Sequence, residues 1–152
     1  EIDIVLDAYI PSSYISNEEN KLDLYKRIAS IEKYEDYSDI QDELIDRFGE
    51  LNNSVENLLD IALLKSLAHG AYIKYINVKD NEIRLRFYEN AKISMENIHK
   101  IVERFKPYLK IDTTHMAELL YKEKNIEIRV LLKKALDIVS YIKSVERLDK
   151  VT

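Results

Sequence analysis

At Ala71 the hydrophobic pattern of this chain changes its period, from that of helices to that of strands. Before it, Leu24, Ile28 and Ile31, joined by Leu22, Tyr25 and Ala29, make the stripe of a helix from about Glu18 to Lys33. Ile40, Leu44, Ile45 and Phe48 make a second stripe, with Asp42, Glu43, Asp46 and Arg47 on the rest of the circumference. Val55, Leu58, Leu59, Ala62 and Leu63 lead a third helix towards Leu67; with Ile61 and Leu64 it is the most hydrophobic of the set and suits the centre of a core. After Ala71, Ile83, Leu85 and Phe87 alternate with Arg84, Arg86 and Tyr88, while Tyr72 to Val78 is rich in β-branched and aromatic residues. A hairpin turning at Lys79-Asp80-Asn81 follows.

Punctuation sharpens these boundaries. The chain has only 2 glycines, Gly49 and Gly70, and both fall at helix ends, where a left-handed cap costs glycine nothing. Tyr34 to Tyr37 reads as a connector, and Ser38 with Gln41 as a capping box opening the second helix; Asn52-Asn53 with Glu56 opens the third. Ser94 starts a helix through Met95, Ile98, Ile101, Val102 and Phe105 that Pro107 stops. Strand-like runs follow near Tyr108–Asp112, Ala117–Tyr121 and Ile126–Val130, separated by Thr113-Thr114-His115 and Lys122–Asn125, and a helix from about Leu131 to Arg147 ends the pattern. At the other end, Ile2, Ile4, Leu6 and Ala8 alternate as an extended arm or strand that Pro11 breaks. The expected fold is α+β: an N-terminal helical unit (17–70) packed with a mainly antiparallel sheet carrying further helices (71–152), with 1–16 an extended arm and loop of the same domain.

Several chemistries are absent from the sequence. Without cysteine there are no disulfides, thiolate nucleophiles or zinc ribbons. His69, His99 and His115 lack a second histidine at helical spacing, so no metal site is expected. Glycine at 49 and 70 alone allows no phosphate-cradling loop and no Gly-x-Ser-x-Gly elbow, so neither catalytic residues nor a cofactor site is assigned. No run of 18 apolar residues and no charged-then-apolar leader is present, and no membrane partner is expected. The chain opens Glu1-Ile2-Asp3, without methionine and directly in an alternating pattern, which suggests a piece of a longer polypeptide. A net charge of -5 opposes non-specific attraction to nucleic acid. The competing possibility is a local basic face, Arg84 and Arg86 beside Tyr88 together with Lys133 on the last helix, gripping single strands. The acid excess favours reading it as the wet side of a sheet.

Four segments in order, Glu1-Ile2-Asp3 to Asp7-Ala8-Tyr9-Ile10-Pro11, Lys21 to Ile28, Asp42 to Gly49, and Leu58-Leu59-Asp60-Ile61-Ala62, resemble the C-terminal domain of the bacterial transcription-repair coupling factor. The resemblance runs from the first residue to about Gly70, with the remainder compatible; Asn52-Asn53 stands where the family often has a proline. It implies a non-catalytic regulatory domain of a cytoplasmic, ATP-dependent DNA translocase that frees stalled RNA polymerase and recruits excision-repair proteins. It also implies docking on an N-terminal module resembling UvrB, masking the surface that binds UvrA, through the charged side of the second helix: Glu43, Asp46 and Arg47.

Overall fold

The computed structural model describes residues 1–112, 114 and 118–151, with side chains as far as Glu146; Thr113, His115 and Ala117, which the sequence places in a turn and at a strand start, lie outside the described residues. The architecture is α+β, and the chain divides into two compact units, Leu6–Ser66 and Glu1–Val5 with everything from Leu67 onward.

The first unit is helical. Its α1 (Glu18–Ala29) begins where the Asn17 side chain accepts the Asn20 N–H at 2.9 Å, and buries Leu24 and Ile28. Next, α2 (Tyr34–Phe48) starts five residues earlier than the Ser38–Gln41 pairing predicts. The carboxylate of Asp36 accepts the backbone N–H groups of Glu32 and Lys33 at 3.1 and 3.3 Å, satisfying two donors one turn upstream, and the supposed connector becomes helix. Tyr37 thereby joins Ile40 and Leu44 as the buried stripe, its hydroxyl donating to Asp60 at 2.7 Å. Ile45, assigned to the core by spacing, is 42% exposed instead, because it lies about 100° around the helix from Leu44, off the buried stripe of Tyr37, Ile40 and Leu44. Gly49 ends α2 with φ +90°, which disfavours any side chain, and its carbonyl accepts the Tyr14 hydroxyl at 2.8 Å.

In α3 (Asn53–Gly70) the asparagine pair supplies the cap, but from Asn52, whose side chain accepts the Val55 N–H at 3.0 Å, rather than from Asn53 three residues before Glu56. Three bonds hold the segment before Pro11 to this unit: Asn57 Nδ2 donates to the Asp7 carbonyl at 2.9 Å, the Tyr9 N–H donates to the Ser54 carbonyl at 3.2 Å, and the Ile10 N–H donates to the Tyr25 hydroxyl at 2.8 Å.

The second unit is a five-stranded sheet with helices on its apolar face. The strands β1 (Ile2–Ile4), β2 (Ile73–Lys79), β3 (Glu82–Phe87), β4 (Leu109–Asp112) and β5 (Glu118–Lys122) lie in the order β1-β2-β3-β5-β4. β1 pairs parallel with β2, and the other neighbours are antiparallel. Asp80 and Asn81 turn the hairpin with φ of 52° and 64°, the left-handed pair that matches strand twist. Ile76, Val78, Ile83, Leu85, Leu119 and Tyr121 are buried on one side, where α5 (Ile128–Val151) packs and α4 (Met95–Arg104) joins it. The run Ile126–Val130 is therefore not a third strand. Its apolar residues lead into the helical stripe of Leu131, Leu132, Ala135, Ile138, Val139, Ile142 and Val145, and the longer period wins over three alternating positions. Among the described residues no helix is long and apolar enough to cross a membrane.

Because Tyr37 buries its hydroxyl on Asp60, Tyr37→Phe is expected to cost about 1–3 kcal/mol in urea unfolding, the penalty for depriving a buried acceptor of a donor. Unaltered stability would mean that this bond does not hold α2 in place.

Candidate functional site

The short turn between α1 and α2 brings the last turn of α1 against the middle of α2, setting Arg27 opposite Glu43. The guanidinium of Arg27 donates to both carboxylate oxygens, Nη1 to Oε2 at 2.6 Å and Nη2 to Oε1 at 2.9 Å, the two-pronged geometry that only arginine supplies. Arg47, one turn further along α2, donates from Nη1 to the same Oε2 at 2.9 Å and rests over the Phe48 ring at 4.8 Å. One carboxylate thus holds two guanidiniums. These bonds, Arg27's first and Arg47's second, pull the Glu43 carboxyl down to about 2.

The three side chains remain partly in water, with 38% of Arg27, 33% of Glu43 and 41% of Arg47 exposed, so this is a surface knot rather than a core ion pair. Asp46, one residue before Arg47, is exposed. With Asp39 and Asp42 it forms a line of exposed carboxylates at helical spacing, and none of the three has an ion pair among the described residues. Of the residues expected to form a docking face, Glu43 and Arg47 are bound to each other, and Asp46 stands beside them facing solvent. Sequence reasoning missed Arg27. Its signal was indirect: a basic residue in the last turn of one helix, joined by a four-residue link to a helix with an acid at mid-length.

The competing basic face is organised differently. Arg84 and Arg86 do project from the same side of β3, opposite the helices, but Glu118 of β5 lies between them and is only 3% exposed. Its Oε1 accepts Arg86 Nε at 2.8 Å and Nη2 at 2.6 Å, and its Oε2 accepts Arg84 Nη1 at 3.2 Å. Arg84 also reaches Asp112 at 3.4 Å and Glu82 at 3.9 Å. Lys133 sits on α5, which packs on the other side of the sheet, so the structure does not bring it to the two arginines. Among the described residues no group of three or more His, Cys, Asp or Glu is placed to hold a metal ion.

Comparison with known proteins relates the chain to one family. The family model for the TRCF domain matches residues 4–98. The transcription-repair-coupling factor of Rickettsia prowazekii (strain Madrid E) is 35% identical over 141 residues, 90% of this chain and 12% of the relative. That of Bacillus subtilis (strain 168) is 38% identical over 96 residues, 63% of this chain and 8% of the relative. The chain spans about a tenth of the length of these curated relatives. A crystal structure of the C-terminal domain of transcription-repair coupling factor is similar with a TM-score of 0.86 at 28% identity, covering 97% of this chain and 93% of that one.

A carboxyl held near 2 when folded, against 4.5 for its ordinary value, adds stability that is complete above the ordinary value and lost as pH falls towards the lower one. Glu43→Gln is therefore expected to cost about 1 kcal/mol in urea unfolding at pH 7 and progressively less between pH 4.5 and 2. A gap that stays constant across that range would assign the loss to something other than the charge.

Proposed function

The chain belongs to the TRCF domain family, and from that membership we propose that it is the C-terminal regulatory domain of a transcription-repair coupling factor, docking on the UvrB-like N-terminal module of the same polypeptide. In this reading residues 17–152 form the functional domain, with 1–16 as its arm and loop, and docking masks the surface that binds UvrA. The parent protein is a cytoplasmic ATP-driven DNA translocase, and its engagement with stalled RNA polymerase and DNA releases the clasp. This chain contributes binding, not catalysis.

The observation that carries the reading is the outward face of α2. Asp46 is exposed on the side of α2 opposite the buried Tyr37, Ile40 and Leu44, Arg47 is exposed at the edge of that stripe, and the Glu43 carboxylate between them is held in one orientation. A rigid, charged and uneven surface of this sort favours a specific partner through charge complementarity, which sets register and approach more than raw affinity. A coupling of about 1–3 kcal/mol between docking and UvrA binding would alter UvrA affinity by roughly 5- to 150-fold, enough for a switch.

Reversing the charges of Glu43, Asp46 and Arg47 together in the full-length coupling factor is expected to strengthen UvrA binding within that range, measured by titration. Unchanged affinity would sink the docking role. Against the nucleic-acid alternative, Arg84, with Arg86, is already engaged by acidic side chains. Titration of the chain with single-stranded DNA at low salt is expected to give no micromolar complex with a steep salt dependence. Such a complex would favour the alternative.

A further inference from the structure

Docking through Glu43, Asp46 and Arg47 gives no task to Arg27, the residue that holds Glu43 most completely. A carboxylate offers about four acceptor positions, and N–H bonds already take three of those on Glu43: one on Oε1 and two on Oε2. A cationic side chain approaching from outside meets a site largely taken. It also meets a local excess of positive charge, two guanidiniums around one carboxylate, although the rest of the α2 surface there, Asp39, Asp42 and Asp46, is acidic and without ion pairs among the described residues.

That acidic line suits a basic partner surface, and Arg27 is the group that opposes it. We propose that Arg27 is a built-in competitor of the docking partner: it occupies Glu43 while the domain is undocked and gives way to an arginine or lysine of the partner on docking. The inference rests on the docking reading above and adds how the clasp is kept releasable. Exchange is feasible because the fork and its carboxylate are both partly exposed, so water can enter as one guanidinium leaves and another arrives.

The test uses the full-length coupling factor, with UvrA affinity as the readout, because a tighter clasp lowers it. Arg27→Gln is expected to weaken UvrA binding by about two- to fivefold, the factor that matches the measured worth of an exposed ion pair. Arg27→Lys, which keeps the charge and loses the two-pronged geometry, should shift it the same way by less. In a Glu43→Gln background the effect of Arg27→Gln should largely disappear, because Arg27 acts through Glu43; a residue that merely supported the fold would act equally in both backgrounds. Stronger or unchanged UvrA binding in both Arg27 variants, or equal effects with and without Glu43, would overturn the competitor role. If Arg27→Gln does not fold, Arg27→Lys decides by the same criterion. When reversal of Glu43, Asp46 and Arg47 alters UvrA binding and the Arg27 variants do not, only the competitor falls; when reversal is also silent, the docking reading itself falls.

Discussion

A buried tyrosine cannot leave its hydroxyl without a partner, and in the helical unit Tyr37 finds one in Asp60. The bond ties the first turn of α2 to α3 and carries the buried stripe of Ile40 and Leu44 back to Tyr37. With Tyr37, Ile40 and Leu44 facing inward, Ile45 turns out to solvent and Glu43 comes round to face α1. Asp36 supports the same rotation from the backbone side, by taking the N–H groups that a later start would have left bare.

The charged knot is a consequence of that rotation. Arg27 lies in the last turn of α1, where a cation is favoured by the helix dipole in any case. What makes it more than a surface residue is that the phase of α2 presents Glu43 within reach, and that Arg47 follows one turn later. Two guanidiniums sharing one carboxylate fix its direction and leave a surplus charge at the surface. The neighbouring aspartates have no ion pair among the described residues, so α2 carries a paired acid next to exposed ones.

The sheet unit handles its charges by burial. Glu118 is almost wholly covered, yet it stands on the polar side of the sheet, where Arg84 and Arg86 close over it and supply the bonds that its desolvation requires. Basic residues that look available in a one-dimensional pattern are committed to the fold. Cross-strand neighbours decide this, and Glu118 is separated from Arg84 by 34 residues of chain.

The α+β class, the helices that begin near 18 and 53, the hairpin at Asp80-Asn81 and a cap from the Asn52-Asn53 pair were legible from residue order, because period, caps and turn residues act over a few neighbours; the first helix ends at Ala29 rather than at Lys33. The family was legible as well, from segments in matching order, and the comparisons agree with it. What residue order left open was anything set by a partner distant in the chain. The start of α2 turned on Asp36 and on a tyrosine bonded to Asp60; the run Ile126–Val130, equally good as a strand over so few residues, became helix by joining the long stripe that covers the sheet. Arg27 belongs with these: its charge was plain in the sequence, but its pairing with Glu43 exists only because two helices fold back on each other and bring a guanidinium and a carboxylate to 2.6 Å. Local periodicity determined the type of most segments, the start of α2 and the run Ile126–Val130 excepted; tertiary contact decided those two, which faces are buried and which charges pair, because burial and ion pairing depend on distances that sequence separation does not encode.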